Sequence, residues 1–240
     1  MLSIAKLIVQ SKEKKELAHI ESVTVSSGTI SLVVGKNGSG KTSFLHGLFL
    51  HPSVICTQRE IYLNNENVSN FSLLDIYKKG MQYVPQHLLP LPGVSLISFL
   101  HTAFEKKFSE KISLFAFVEK VKQVCTEYNV PHYLIEKNVH ENLSGGERKM
   151  QELIQILILK PQYVFLDEID SGLDRDVKII VAAIINRLKT EGVGIMLVSH
   201  SFEFAELLKV DNVILIGEGS IARKGDMHLF LEIKKTGFPA

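Results

Sequence analysis

Gly35-Lys36-Asn37-Gly38-Ser39-Gly40-Lys41-Thr42, with Ser43 following, is the stretch on which the fold turns. It matches the pattern G-x-x-x-x-G-K-[ST]. Ahead of it Thr29 to Val34 is an apolar, β-rich run, and behind it Thr42, Phe44, Leu45, Leu48 and Phe49 recur at helical spacing. A buried strand therefore runs through a glycine turn into a helix. A phosphate chain carries several negative charges, and three glycines let the backbone turn so that successive N–H groups face those oxygens. The helix beginning near Lys41 adds its positive end, the Lys41 ammonium reaches the β and γ phosphates, and the Thr42 hydroxyl is placed to ligate magnesium. A nucleoside triphosphate with magnesium is the expected ligand.

Further along, Tyr163 to Leu166 is an apolar strand that ends in Asp167 and Glu168. Adjacent carboxylates repel and lose hydration at the edge of a core, so a cation is expected beside them. Asp167 is expected to hold the metal, directly or through water, and Glu168 to orient or deprotonate the water that attacks the γ phosphate. A later apolar strand, Ile195 to Val198, delivers His200 to the same edge, where it would contact the γ phosphate. Gln86, just after the strand-like Met81 to Val84, is expected to contact both the metal and the attacking water.

Leu143-Ser144-Gly145-Gly146-Glu147 opens a helix whose apolar face is Met150, Leu153, Ile154, Leu157 and Ile158. Ser144 and Glu147 have capping-box spacing, which leaves the glycines unexplained. Two glycines in a first turn cost roughly 1 kcal/mol each relative to Ala. Bare N–H groups at a helix start form an anion site, so Ser144, Gly145 and Gly146 read as a second phosphate-binding surface.

The remainder of the 240 residues sets the bounds. The chain is 45% hydrophobic and 22% charged with a mean hydropathy of +0.14, which excludes disorder. The 27 Lys and Arg against 26 Asp and Glu leave no charge reservoir for nonspecific nucleic-acid or lipid binding. The longest apolar run, Ile179 to Ile185, falls short of the roughly 18 residues a membrane span needs. No signal peptide is read, and Cys56 and Cys125 lack zinc or disulfide spacing, so a reducing, cytoplasmic setting and structural roles for both are expected. Glu60 to Val84 reads as short strands and polar turns, residues 95–160 as almost wholly helical, and the strand–helix alternation returns from Pro161.

In this order the phosphate loop, Gln86, Leu143 to Glu147, Asp167 with Glu168, Ser171-Gly172-Leu173-Asp174 and His200 resemble the ATP-binding cassette (ABC) ATPases over essentially the whole chain. The resemblance implies an α/β fold: a P-loop NTPase core with a β-rich N-terminal part and an inserted α-helical subdomain. It implies a single domain, 1–240, with 1–86 and 161–240 as catalytic core and 87–160 as helical subdomain. ATP and Mg2+ are the implied cofactors. Two such domains would sit head to tail, Ser144, Gly145 and Gly146 of one closing on the ATP held by the other's Gly35 to Ser43.

Within that family the chain resembles the SufC type, the ATPase subunit of SUF iron-sulfur cluster assembly. Pro92-Gly93-Val94-Ser95, Asp167 through Asp174, and Gly225-Asp226 with Leu229 to Gly237 carry this likeness. Its implied partners are SufB- and SufD-like scaffold subunits docked near the Gln86 loop and the helical insertion, with no nucleic acid and no direct membrane insertion. No aromatic precedes Phe44, where many cassette ATPases stack adenine, and Leu143 stands where SufC proteins commonly have Phe. The basic pair Arg148-Lys149, also seen in the family, is read as a brake that transiently holds Glu168 away from its water, so that neutralising Lys149 raises basal activity. The alternative function is the nucleotide-binding subunit of a membrane transporter, and a DNA-repair clamp is disfavoured by the short insertion and neutral charge.

Overall fold

In the computed structural model, which describes residues 1–238, the elements follow in chain order. They are β1 (Leu2–Gln10), β2 (Glu16–Val25), β3 (Ile30–Val34), α1 (Lys41–Leu48), β4 (Ile55–Leu63), β5 (Glu66–Asn67), α2 (Leu73–Lys78) and β6 (Met81–Val84). Then come α3 (Leu96–Phe108), α4 (Leu114–Glu127), a short 3-10 helix (His132–Glu136), α5 (Gly145–Leu159), β7 (Tyr163–Asp167) and α6 (Arg175–Thr190). The chain closes with β8 (Gly194–Val198), α7 (Phe202–Leu207), β9 (Asn212–Gly217), β10 (Ser220–Gly225) and α8 (Met227–Thr236).

All ten strands join one sheet in the order β5-β4-β1-β2-β10-β9-β3-β8-β7-β6. The run from β9 to β6 is parallel, and β1, β2, β4 and β5 pair antiparallel. Strands covered on both faces read as continuous apolar runs, which is why β3, β7 and β8 were legible. On β3 the alternation divides the burial between two cores. Ile30, Leu32 and Val34 face α3 to α6, and Val33 faces α1 with Phe44, Leu45 and Leu48. On β7, Val164 and Leu166 join the first core and Tyr163 and Phe165 the second. Fully burying a side chain such as Phe165 contributes roughly 1.5–3 kcal/mol, so this two-sided pattern pins the register.

That register positions the site. Val33 pairs with Val198, Val198 with Asp167, and Leu166 with Val84, so β3, β8, β7 and β6 end level with one another. The loops that leave them carry the phosphate loop, His200, Glu168 and Gln86 to one edge of the sheet. Ligands of open parallel sheets bind at that edge.

Three expectations change. Residues 95–160 are interrupted by loops between α3 and α4 and from Lys137 to Ser144, where Ser95 bridges Asn138. β4 is a nine-residue strand where short strands were expected, and its exposed alternate residues dilute its apolar signal. β10 was not anticipated because most of its residues face solvent and it is held by backbone pairing to β9. No helix among the described residues is long and apolar enough to cross a membrane.

Candidate active site

The phosphate loop is shaped by close approach. A Cβ on Gly35 would lie 2.3 Å from the Ile216 carbonyl oxygen, and one on Gly40 would lie 2.5 Å from that of Leu17. Gly38 needs its glycine for another reason, a left-handed φ of +78°. Lys41 is 5% exposed and donates from Nζ to the carbonyls of Gly35 and Lys36 at 3.0 and 2.7 Å. Burial pulls its pKa below the ordinary lysine range, offset by Glu168 and Asp167.

Asn37, Gly38, Gly40, Lys41, Thr42 and Ser43 share a cavity of about 560 Å³ with Gln86, Glu168 and His200. Lys36 and Ser39 lie on its far side, against the turn between β9 and β10. Thr42 Oγ1 donates to Asp167 Oδ1 at 3.4 Å, and Tyr83 OH donates to Oδ2 at 3.3 Å. Asp167 is fully buried, and burial raises its pKa, with Glu168 adding to the effect. The Glu168 carboxylate is gripped from two sides, by Gln86 Nε2 at 2.6 Å and His200 Nε2 at 3.2 Å, on a left-handed backbone of φ +49°. Burial, then the Lys41 charge, lowers the His200 pKa, so the ring is neutral near pH 7 and meets the carboxylate with an Nε2–H. Beneath it Ser199 Oγ donates to Asp170 Oδ2 at 2.9 Å.

Ser144, Gly145 and Gly146 are not part of this cavity. Ser144 caps α5: its Oγ accepts from Glu147 N at 3.3 Å, and its N–H donates to Glu147 Oε2 at 2.7 Å. A Cβ on Gly145 would have nothing within 4 Å. Ser144 and Gly145 are exposed and Gly146 is half-buried.

Four participants escaped the sequence reading: Tyr83 on Asp167, Ser199 on Asp170, Tyr133 OH on Glu147 Oε1 at 2.7 Å, and the true contacts of Lys149. Lys149 Nζ donates to the backbone carbonyls of Gln86 and Glu168 at 3.1 and 3.4 Å, while the Glu168 carboxylate is held by Gln86 and His200. The brake expected of it is not the contact seen. Cys56 and Cys125 are free thiols, and burial pushes both pKa values up, Cys125 to about 11.

A glycine cradle at the edge of a parallel sheet, facing a carboxylate held between an amide and a neutral imidazole, defines a nucleotide-hydrolysing P-loop protein. Residues 19–171 match the family model described as ABC transporter, and the chain belongs to that family. It is an ATP-binding chain that hydrolyses ATP. A probable ATP-dependent transporter, ycf16, of Cyanophora paradoxa is 31% identical over 220 residues, 90% of this chain and 85% of that protein. A probable ABC transporter ATP-binding protein of Streptococcus pyogenes serotype M18 is 28% identical, covering 94% of this chain and 89% of its own length. The fold is shared with the ATP-binding cassette MJ0796, solved as a post-hydrolysis dimer with ADP and Pi. Its TM-score is 0.80 at 16% identity, over 95% of this chain and 99% of that one.

Proposed function

We propose that this chain is the ATP-hydrolysing subunit of a SUF-type iron-sulfur cluster assembly complex, in which ATP-dependent pairing of two copies rearranges scaffold subunits. The observation that carries the hydrolytic part is the Glu168 carboxylate, held by Gln86 and His200 across one cavity from Lys41 and Thr42. Lys41 and the loop N–H groups bind the β and γ phosphates. Glu168 accepts the proton of the attacking water, His200 Nε2–H orients that carboxylate, and the Gln86 amide positions the water.

Magnesium fits the residues present. The Thr42 hydroxyl, the Asp167 carboxylate and the Gln86 carbonyl oxygen, left free by the bond Nε2 makes, are the hard oxygen donors it prefers. The raised pKa of buried Asp167 marks a carboxylate short of positive charge. When bound, the ion would neutralise charge on the phosphates.

The exposed Ser144-Gly145-Gly146 turn, outside its own chain's nucleotide cavity, supports head-to-tail self-association, in which the N–H groups of Gly145 and Gly146 would meet the phosphates held by another copy. Residues 1–86 and 161–240 are proposed as catalytic core and 87–160 as helical subdomain; α3 to α5 all fall in the latter. Beside the Gln86 strand an apolar groove of about 1030 Å³, walled by Leu73, Leu74, Tyr77, Val94, Phe99 and Ala103, is where SufB- and SufD-like scaffolds would dock. The Pro92–Ser95 and Asp167–Asp174 strings support the SUF assignment. The names of the relatives favour the second reading, a transporter's nucleotide-binding subunit. Affinity purification from native extract separates the two. Soluble scaffold subunits bound in a Glu168→Gln, ATP-loaded sample support SUF assembly, and an integral membrane protein bound instead overturns it.

A further inference from the structure

α5 buries four polar or charged side chains, Lys149, Gln151, Glu152 and Gln155, each less than a tenth exposed. Buried polar groups are costly unless they are paired, so this helix is held for more than packing. Lys149 is the extreme case. The residue is 5% exposed, and its ammonium spends its hydrogen bonds on the backbone carbonyls of Gln86 and Glu168. Burial draws its pKa down while four surrounding carboxylates oppose the shift.

One turn along α5 a second attachment reaches the same segment. Glu152 Oε1 lies 2.7 Å from His140 Nε2, close enough for an ion pair but out of line for a hydrogen bond, and accepts from Gln155 Nε2 at 2.5 Å. The other ring nitrogen of His140, Nδ1, stands 3.1 Å from the Leu89 carbonyl oxygen. His140 adopts a left-handed φ of +55°, and its N–H donates to Gln151 Oε1 at 2.8 Å. A bulky residue holds that conformation only when its surroundings over-determine it. The segment after β6 is therefore held to α5 directly at Gln86, by Lys149, and indirectly at Leu89, through His140 and its N–H bond to Gln151, and the turn bearing Glu168 is held once, by Lys149.

We infer that Lys149 and the His140–Glu152 pair are positioning residues that lock the Gln86 segment and the Glu168 turn to the helix opened by Ser144-Gly145-Gly146. The hydrolytic side chains then move as one body with that helix. This rests on the reading of Gln86 and Glu168 as the hydrolytic groups. It also reverses the sign expected of a brake: removing the Lys149 charge slows turnover.

The test is steady-state ATPase kinetics with separate ATP-binding and thermal-melting measurements on the full chain. Lys149→Met, close in volume and uncharged, should lower kcat about tenfold, with KM and ATP affinity within about twofold of wild type. Lys149→Arg should recover part of kcat, and Glu152→Gln should lower kcat about threefold with the same unchanged KM. Wild-type or raised kcat in Lys149→Met overturns the inference. So does a joint loss of kcat, affinity and thermal stability that Lys149→Arg fails to rescue, which marks a merely structural role. If Lys149→Met does not fold, Glu152→Gln decides, and an unchanged kcat there overturns it. Glu168→Gln is run in parallel. An inactive Glu168→Gln beside an unaffected Lys149→Met removes the clamp alone, and an active Glu168→Gln removes the underlying reading with it.

Discussion

The two glycine turns of this molecule look alike in sequence and differ in what demands their glycines. At the phosphate loop the demand comes from the chain itself. Gly35 and Gly40 sit against backbone carbonyls at distances no Cβ tolerates, and Lys41 is buried under its own loop. At the head of α5 nothing in the chain forbids a side chain at Gly145, which opens onto empty space. A glycine that costs helix stability without relieving any crowding answers to something outside the molecule. The contrast supports the proposal that the second turn serves another copy's nucleotide.

The largest effect that sharpens this contrast is on the chemistry. Glu168→Gln should retain ATP binding and lose hydrolysis by roughly 10²–10⁴-fold, the usual contribution of a general base, with the paired form accumulating in ATP by sizing or light scattering. Next, Lys41→Ala should weaken ATP binding about a hundredfold in titration calorimetry, because it removes the ammonium proposed to bind the β and γ phosphates. The direct comparison is Gly35→Ala against Gly145→Ala. Gly35→Ala should destabilise the fold and abolish nucleotide binding. Gly145→Ala should raise Tm by about 2–4 °C, keep the ATP affinity of the single chain, and lose about tenfold of the ATPase rate that grows with protein concentration. Equal behaviour of the two variants breaks the comparison.

The smallest effect is electrostatic. Asp167 is a buried carboxylate whose folded pKa is raised, so at neutral pH its ionised form destabilises the fold. Asp167→Asn should therefore melt a few degrees higher than wild type at pH 7, roughly 2–4 °C per kcal/mol recovered, while losing activity. The gap should shrink as pH falls through the raised folded pKa and close below the unfolded value. A variant that melts lower at pH 7 contradicts the burial argument.

The legible parts were those where one local pattern does the whole work. The loop from Gly35 to Thr42 announces itself because strand, turn and helix follow within a dozen residues, and β3, β7 and β8 because both their faces are buried. β10 was hidden because solvent-facing residues leave no apolar period to read. Tyr83 was passed over because a tyrosine on a strand looks like packing until its hydroxyl is seen on Asp167. Lys149 was noticed, and its contacts were not foreseen. Proximity in sequence to the Ser-Gly-Gly turn suggested a charge-to-charge contact, whereas its reach across the fold ends on two carbonyls.

The amino-acid order alone pointed to the glycine loop as the phosphate cradle and to the strand ends that carry acid, because N–H direction, glycine freedom and carboxylate chemistry are local properties. Only the tertiary structure decided that Glu168 is shared between Gln86 and His200, that α5 grips the Gln86 segment, and that Gly145 stands outside its own chain's phosphate-loop cavity. Those relations join strands and helices tens of residues apart. They are set by sheet register and by the packing of α5, which no short stretch of chain encodes.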